Sequence, residues 1–303
     1  MPTNTDNPLI CVSRLRVACP ICGKRDWCSV SKDGADAVCM RPPPAGCSPL
    51  AITRNDGHYY RLKDMNRPRV QISQKAIDEY DSTPEPTIDC HYLQDHFRYA
   101  LTQDRVDAFY KDVKSSCKES IHGVGIGWCG WAYTAPMYDA HETPIGFRVR
   151  KPGGQVKVCI PGSRNGLFLA PRVPIREPVL IVEGMTDAIT ACTLDFSFIG
   201  RPSATGGRRL IADYLRLHRI RSVAIIPDND EPDAQGRRVG TIGATTLATY
   251  LRDKIHSIKL VYPRVGKDLK DWFYSLQLTK PILSSIIANA NEWTPDERTR
   301  QWA

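Results

Sequence analysis

From Pro178 onward, short apolar runs alternate with amphipathic stretches, and this alternation constrains the fold of the 303-residue chain more than any other feature. The runs predicted as strands are Val179–Val182, Phe198–Ile199, Val223–Pro227 and Ile258–Val261. The stretches predicted as helices are Met185–Leu194, Arg208–His218 and Gln235–Lys254. Because strands that alternate with helices form parallel sheets covered by helices, the sequence predicts an α/β domain here.

Acidic residues follow three of these strands. They are Glu183 and Asp187, then Asp228 and Asp230, then Asp268. The carboxyl ends of parallel strands lie along one edge of a sheet, so these carboxylates can converge although 45 and 40 residues separate the groups. Carboxylates packed together take up protons unless a cation neutralises them, and oxygen ligands suit Mg²⁺ or Mn²⁺. The sequence therefore predicts a divalent metal site at this edge.

Six of the eleven cysteines lie in the first 70 residues, and Cys19-Pro-Ile-Cys22-Gly has the spacing of a zinc knuckle. A turn at Asp33-Gly34 between two short strands, Trp27–Val30 and Ala37–Met40, predicts a β-hairpin that places Cys28 opposite Cys39. The predicted zinc ligands are Cys19, Cys22, Cys28 and Cys39, with Cys47 or His58 as alternatives to Cys28. The competing interpretation is a set of buried free thiols.

Composition narrows the class of protein. No apolar run is long enough for a membrane helix, and the start at Met1 lacks the pattern of a secretory signal. Many cysteines without an export signal favour metal ligands in a cytoplasmic protein over disulfides. The formal net charge of +8 permits a polyanionic partner.

Five segments are predicted along the chain. They are a zinc-ribbon module (1–66), a linker and helical connector (67–118), a small basic α+β subdomain (119–176), the α/β domain (177–277) and a C-terminal helical tail (278–303). The linker proper is the polar, proline-marked stretch from about Arg67 to Pro86. The basic subdomain carries short predicted strands at Ala132–Met137, Ile145–Val149, Val156–Ile160 and Leu167–Leu169.

Between Glu142 and Glu177 the basic subdomain has seven basic residues and no acidic one. They are Arg148, Arg150, Lys151, Lys157, Arg164, Arg172 and Arg176. Alternation along Arg148-Val-Arg150 places two of these cations on one strand face. A stretch of one sign beside an acidic metal site is typical of a nucleic-acid path, while a solvated basic face is the alternative.

The three acidic groups, in this order, resemble the Toprim domain of bacterial-type primases, topoisomerases, OLD-family nucleases and recombination mediators. The segments Pro136–Arg150 and Val156–Phe168 resemble the stretch that precedes Toprim in the bacterial and phage-type primases. With the cysteine module in front, the similarity covers most of residues 19–275. The resemblance implies a Toprim-type parallel sheet preceded by a basic subdomain and a β zinc ribbon.

The same resemblance implies roles for individual residues. Glu183, Asp228 and Asp230 match the positions that hold the catalytic Mg²⁺ or Mn²⁺, and Asp187 and Asp268 match supporting acidic positions. The family's basic residues that contact template and nucleotide match Arg150 and Lys157, and Arg148 and Lys267 are further candidate contacts. The all-cysteine zinc set departs from the replicative primase, whose set includes a histidine.

The sequence thus predicts a DNA primase that makes short RNA primers on single-stranded DNA from ribonucleoside triphosphates by a two-metal mechanism. The chain matches no helicase-interaction domain and no phosphate loop, so a separate replicative helicase and a phage or mobile-element origin are expected. The alternatives are a Toprim metal-dependent nuclease and a non-catalytic factor that binds or loads on single-stranded DNA.

Overall fold

A computed structural model describes residues 8–25, 28–41, 47–53, 57–82, 87–113, 118–154, 157–171, 173–233 and 236–295. The chain forms two compact units, an N-terminal unit, Met1–Pro86, and a C-terminal unit, Thr87–Ala303. None of the helices in the described ranges has the length and apolar character needed to cross a membrane.

The N-terminal unit is built on a sheet of five short antiparallel strands. In chain order they are β1 (Leu9–Cys11), β2 (Ser29–Ser31), β3 (Asp36–Cys39), β4 (Ala51–Ile52) and β5 (His58–Arg61). In the sheet they are ordered β1-β2-β3-β5-β4. The buried cysteines pack among a few apolar side chains such as Ile10, Val30 and Tyr60. A core of this size is small for a stable domain, which is the situation in which a structural metal contributes most.

The segment that the sequence predicts as a linker packs on the N-terminal unit instead. It contains helix α1 (Gln74–Ser82). The backbone N–H of Val70 donates to the carbonyl of Gly34 at 2.9 Å, and the guanidinium of Arg14 lies 4.4 Å from the ring centre of Tyr80. A few apolar residues in a mostly polar stretch make these contacts, which is why the polar composition is misleading here. Residues 83–86 of the predicted linker lie outside the described ranges.

The C-terminal unit begins with helices and an antiparallel sheet. The helices are α2 (Cys90–Tyr99), α3 (Gln103–Val113) and α4 (Lys118–Gly123). The strands are β6 (Gly127–Trp128), β7 (Tyr133–Tyr138), β8 (Pro144–Arg150) and β9 (Lys157–Cys159), paired in chain order. Leu167 and Phe168, predicted as part of a strand, form single bridges to Tyr138 and Gly200. The predicted strand residue Val156 lies outside the described ranges.

A four-stranded parallel sheet follows, so the predicted α/β fold class is confirmed. Its strands are β10 (Val179–Glu183), β11 (Phe198–Arg201), β12 (Ser222–Ile225) and β13 (Ser257–Leu260), in the order β11-β10-β12-β13. Its helices are α5 (Gly184–Thr193), α6 (Arg208–Leu217), α7 (Val239–Leu251), α8 (Leu269–Leu276) and α9 (Lys280–Asn289). Gln235, the predicted start of α7, lies outside the described ranges. The sequence did not predict α8.

Both faces of this sheet are buried. On central strand β10, Leu180 and Val182 belong to a core that includes residues of α5 and α8, while Val179 and Ile181 belong to a core that includes residues of α6 and α7. Side chains alternate between the faces of a strand, so a continuous apolar run serves both layers. Tyr133 of β7 lies in the first of these cores, so the two sheets share one interior.

Candidate metal centre and zinc-ribbon cluster

Glu183 is the last residue of β10 and lies at the carboxyl edge of the sheet. The next residue, Gly184, has φ +74°, a conformation that glycine adopts without strain, and α5 starts there. The Oε1 atom of Glu183 is buried and has no hydrogen-bond partner among the described residues. Burial raises the pKa of Glu183, and the nearby Arg201 opposes that rise. A buried carboxylate oxygen without a donor is available to a cation.

Asp228 and Asp230 follow β12, the neighbour of β10, and lie at the same edge. Their side chains are 18% and 29% exposed. Burial, and then the charge of Glu183, raises the pKa of Asp228 to about 7. Because Asp230 also raises the pKa of Glu183, the three carboxyl groups lie within electrostatic reach of one another.

Lys267 carries the positive charge closest to the aspartate pair. Its Nζ atom lies 2.9 Å from Oδ1 of Asp230 and 3.6 Å from Oδ2 of Asp228. The bond to Asp230 raises the pKa of Lys267. The structure therefore places Lys267, predicted from the sequence as a nucleotide contact, directly on the carboxylates.

Asp187 and Asp268 make structural hydrogen bonds behind this edge. Asp187 is 3% exposed, and its Oδ1 accepts the backbone N–H of Lys270 at 3.0 Å. Burial, followed by the charge of Asp268, raises the pKa of Asp187 well above its usual range. Asp268 caps α8 by accepting the backbone N–H of Asp271 at 2.7 Å. Together they fasten the start of α8 to α5.

The donor set of the acidic edge fits a hard divalent cation. The five carboxyl groups predicted from the sequence lie at or just behind one edge of the sheet, and the cation nearest the aspartate pair is Lys267. Oxygen donors with one unsatisfied buried oxygen suit Mg²⁺ or Mn²⁺. Glu183, Asp228 and Asp230 are the residues that would hold such ions.

A second cluster lies in the N-terminal unit and consists of four thiols. The Sγ atoms of Cys19, Cys22, Cys28 and Cys39 all lie within 4.8 Å of one another, and among the described residues this is the only group of potential ligands packed so closely. The Sγ of Cys28 lies 3.7 Å from that of Cys22 and 3.8 Å from that of Cys39. Four sulfurs at about 2.3 Å from a tetrahedral zinc ion are about 3.8 Å apart, so the cluster fits zinc.

Two features support a thiolate cluster at this position. The guanidinium of Arg41 donates to the sulfurs of Cys22 and Cys28 at 3.5 Å. Hydrogen bonds from Cys28 and Cys39 lower the pKa of Cys19 to about 2, and the same contacts raise the pKa of Cys28 and of Cys39. Thiols packed this closely do not all ionise unless a cation neutralises them. The two alternative ligands, Cys47 and His58, do not belong to the four-thiol group.

Comparison with known proteins identifies the fold. No protein-family model matches the chain, and no curated protein matches it. The Escherichia coli primase catalytic core superposes with a TM-score of 0.50 at 16% identity, over 67% of this chain and 79% of that one. The zinc-binding and RNA polymerase domains of Aquifex aeolicus primase superpose with the same TM-score and identity, over 72% of this chain and 66% of that one.

The chain has the fold of a bacterial primase catalytic core. A third structure with this fold, a DnaG primase catalytic domain bound to single-stranded DNA, also superposes with a TM-score of 0.50 at 16% identity, over 67% of this chain and 78% of that one. The Aquifex structure pairs its polymerase domain with a zinc-binding domain, and the present chain carries its four-thiol cluster in a separate N-terminal unit.

Within the primase fold, the predicted nucleic-acid arginines make internal contacts. Arg148 is 5% exposed and donates to the carbonyl of Pro202 at 3.1 Å and to Oδ1 of Asn165 at 3.3 Å. The guanidinium of Arg150 lies 3.4 Å from Oδ2 of Asp112. The pattern Arg148-Val-Arg150 therefore holds neighbouring segments in place instead of presenting two solvated cations.

Lys157 is described only through its backbone, which pairs with Arg150 across β8 and β9. Its side chain lies outside the part of the structure that can be described. Its predicted contact with nucleic acid remains a prediction.

Arg201 is a charged residue at the acidic edge that the sequence did not predict. It is the last residue of β11, pairs in register with Glu183, and is 1% exposed. Its Nε donates to the carbonyl of Gly206 at 3.4 Å. The sequence did contain a signal for this residue, because Arg201 ends an apolar strand at the edge where Glu183 ends the neighbouring strand.

Helix α7 contacts the site through two glycines. A Cβ atom on Gly240 would meet the carbonyl oxygen of Asp228, and a Cβ on Gly243 would meet the carbonyl oxygen of Ala204. The helix backbone therefore packs directly on the loops that follow β12 and β11.

Proposed function

We propose that the protein is a DNA primase, a template-directed polymerase that makes short RNA primers on single-stranded DNA from ribonucleoside triphosphates. The observation that carries this proposal is the convergence of Glu183, Asp228 and Asp230 at one edge of a parallel sheet within a primase fold. One fold can support many activities, so the proposed activity depends on the three carboxylates and not on the fold alone.

The chemistry needs divalent ions more than it needs proton transfer. Mg²⁺ or Mn²⁺, when bound, lowers the cost of ionising an attacking 3′-hydroxyl and of charge on an α-phosphate. Glu183, Asp228 and Asp230 hold the ions, and two ions are expected. Asp187 and Asp268 fix the turn before α8 and so fix the position of Lys267. The protein acts mainly by positioning charge.

The proposed partners are a single-stranded DNA template, a structural zinc ion and a replicative helicase. A structure with the same fold is described as bound to single-stranded DNA, and the net charge of +8 is compatible with a DNA template. The four-thiol cluster binds structural zinc and holds the N-terminal unit in the form that contacts the template start site. A cytoplasmic location and a separate replicative helicase complete the proposal.

The test is primer synthesis by the full chain on mixed-sequence single-stranded DNA with labelled ribonucleotides and Mg²⁺ or Mn²⁺. The double variant Asp228→Ala with Asp230→Ala is expected to make no product while it stays folded and binds DNA. The matched control is Asp213→Ala with Asp253→Ala, which removes two carboxylates that pair with arginines on the surface. This control is expected to synthesise as the wild type does.

Other outcomes select the alternatives. Metal-dependent degradation of the DNA without nucleotides identifies a nuclease that uses the same carboxylates. Binding of DNA with neither synthesis nor degradation identifies a non-catalytic loading factor. Synthesis that survives in the Asp228/Asp230 double variant overturns the assignment of the metal centre.

A further inference from the structure

The backbone of Lys267 is tied to the turn that carries the two aspartates. The N–H of Asn229, the residue between Asp228 and Asp230, donates to the carbonyl of Lys267 at 2.6 Å. On the other side, the N–H of Lys267 donates to Oδ2 of Asp271 at 3.3 Å. These hydrogen bonds set the position of Lys267 through the main chain. Its contact with the aspartates is therefore built into the fold and is not a chance pairing of surface charges.

The side chain of Lys267 lies against the carboxylates of Asp228 and Asp230 on the solvent side of the acidic edge. Its ammonium group lies 2.9 Å from Asp230 and 3.6 Å from Asp228, and the side chain is 56% exposed. A divalent ion shared by these two carboxylates would need the same space and the same oxygens. Glu183 differs, because its Oε1 is buried and has no hydrogen-bond partner among the described residues.

We propose that Lys267 takes the place of one of the two divalent ions while no nucleotide is bound, so that the free protein binds a single ion on the Glu183 side of the site. This inference rests on the proposed function, because it concerns the same metal centre. Two cations at one carboxylate pair repel each other, so Lys267 must leave Asp230 before a second ion can bind there. A nucleoside triphosphate offers the displaced ammonium group a new anionic partner. Lys267 thereby couples binding of the second ion to binding of the nucleotide.

The test counts Mn²⁺ ions bound to the full chain by electron paramagnetic resonance, without DNA or nucleotide. The wild type is expected to bind one ion, and Lys267→Arg, which keeps the charge, is also expected to bind one. Lys267→Met is expected to bind two at the Mn²⁺ concentration at which the wild type binds one, because removal of the ammonium charge raises the affinity for the second ion about tenfold. Addition of a non-hydrolysable triphosphate is expected to raise the wild-type count to two.

A matched control is Lys280→Met. Lys280 also pairs with an aspartate, Asp195 at 2.6 Å, but it does so just beyond the C-terminal end of α5, whereas the acidic edge lies at the start of that helix. It is expected to bind one ion, as the wild type does. Circular dichroism of each variant establishes that it is folded before ions are counted.

The outcomes separate this inference from the proposed function. Two ions in the nucleotide-free wild type, or one ion in folded Lys267→Met, overturns the role of Lys267 and leaves the metal centre intact. No ion in any variant overturns the metal centre itself, and this inference with it. Because the count needs no catalysis, a protein that binds ions as described but makes no primer contradicts only the proposed polymerase activity.

Discussion

Asp187 offers the sharpest test of how the acidic edge is built. It is buried, its pKa is raised well above the usual range by burial and by Asp268, and it accepts the backbone N–H of Lys270 at 3.0 Å. Two substitutions separate its hydrogen bond from its charge. Asp187→Asn keeps an oxygen acceptor for Lys270 and cannot ionise, while Asp187→Ala removes the acceptor and leaves a buried N–H without a partner.

The expected magnitudes follow from those contacts. Loss of the acceptor for the buried N–H of Lys270 costs about 1–3 kcal/mol, and the small cavity left by the substitution adds roughly 1 kcal/mol. Asp187→Ala is therefore expected to lower the free energy of unfolding by about 2–4 kcal/mol. Asp187→Asn is expected to lie within about 1 kcal/mol of the wild type at pH 5. In the wild type the folded protein binds this proton more tightly than the unfolded chain does, so its stability falls as pH rises from about 4 toward the raised pKa. Between pH 5 and pH 8 the stability of the wild type therefore falls relative to that of the asparagine variant.

Urea unfolding at pH 5 and at pH 8, with a chelator present, measures both differences. If Asp187 acts through structure, Asp187→Asn also retains primer synthesis and Asp187→Ala loses it. An asparagine variant as unstable as the alanine variant would refute the hydrogen-bond argument. A stable asparagine variant that makes no primer would show that the charge of Asp187 takes part in the chemistry.

Three further predictions concern other parts of the molecule. Cys28→Ser is expected to lose bound zinc, measured by atomic absorption, while Cys47→Ser keeps it; the reverse result would exchange the two ligands. Without divalent ions the wild type should lose up to about 4 kcal/mol of stability as pH rises from 4 through 7, because the pKa of Asp228 is raised to about 7, and Asp228→Asn should remove that loss. Gly240→Ala pushes α7 from the Asp228 carbonyl, and calorimetry should show a lower Tm together with weaker Mn²⁺ binding.

Patterns that are local in sequence predicted much of the fold. The turn at Asp33-Gly34 fixes the hairpin register, in which Val30 pairs with Ala37, and continuing that register places Cys28 opposite Cys39. Their sulfurs are 3.8 Å apart. Apolar runs located the four parallel strands for the same reason, because strand period and burial are properties of a few consecutive residues.

Contacts between distant segments could not be predicted in this way. The acceptor of Arg148 at Pro202 lies 54 residues away in sequence, and the partner of Arg150, Asp112, lies on helix α3. A run of basic residues gives no sign of such partners, so the sequence predicted both arginines as nucleic-acid contacts and not as internal ones. Arg201 was not predicted because a single charged residue at the end of a strand does not form a recurring pattern in the sequence.

The glycine contacts of α7 have a consequence for protein engineering. Gly240 packs on the loop after β12 and Gly243 packs on the loop after β11. Main-chain contacts of one helix therefore set the distance between these two loops. A library that varies every position of α7 should therefore find these two positions intolerant even to alanine, while the solvent-facing side chains of the helix vary freely. The spacing between these two loops is set without side chains, so the loop sequences can be redesigned while that spacing stays fixed.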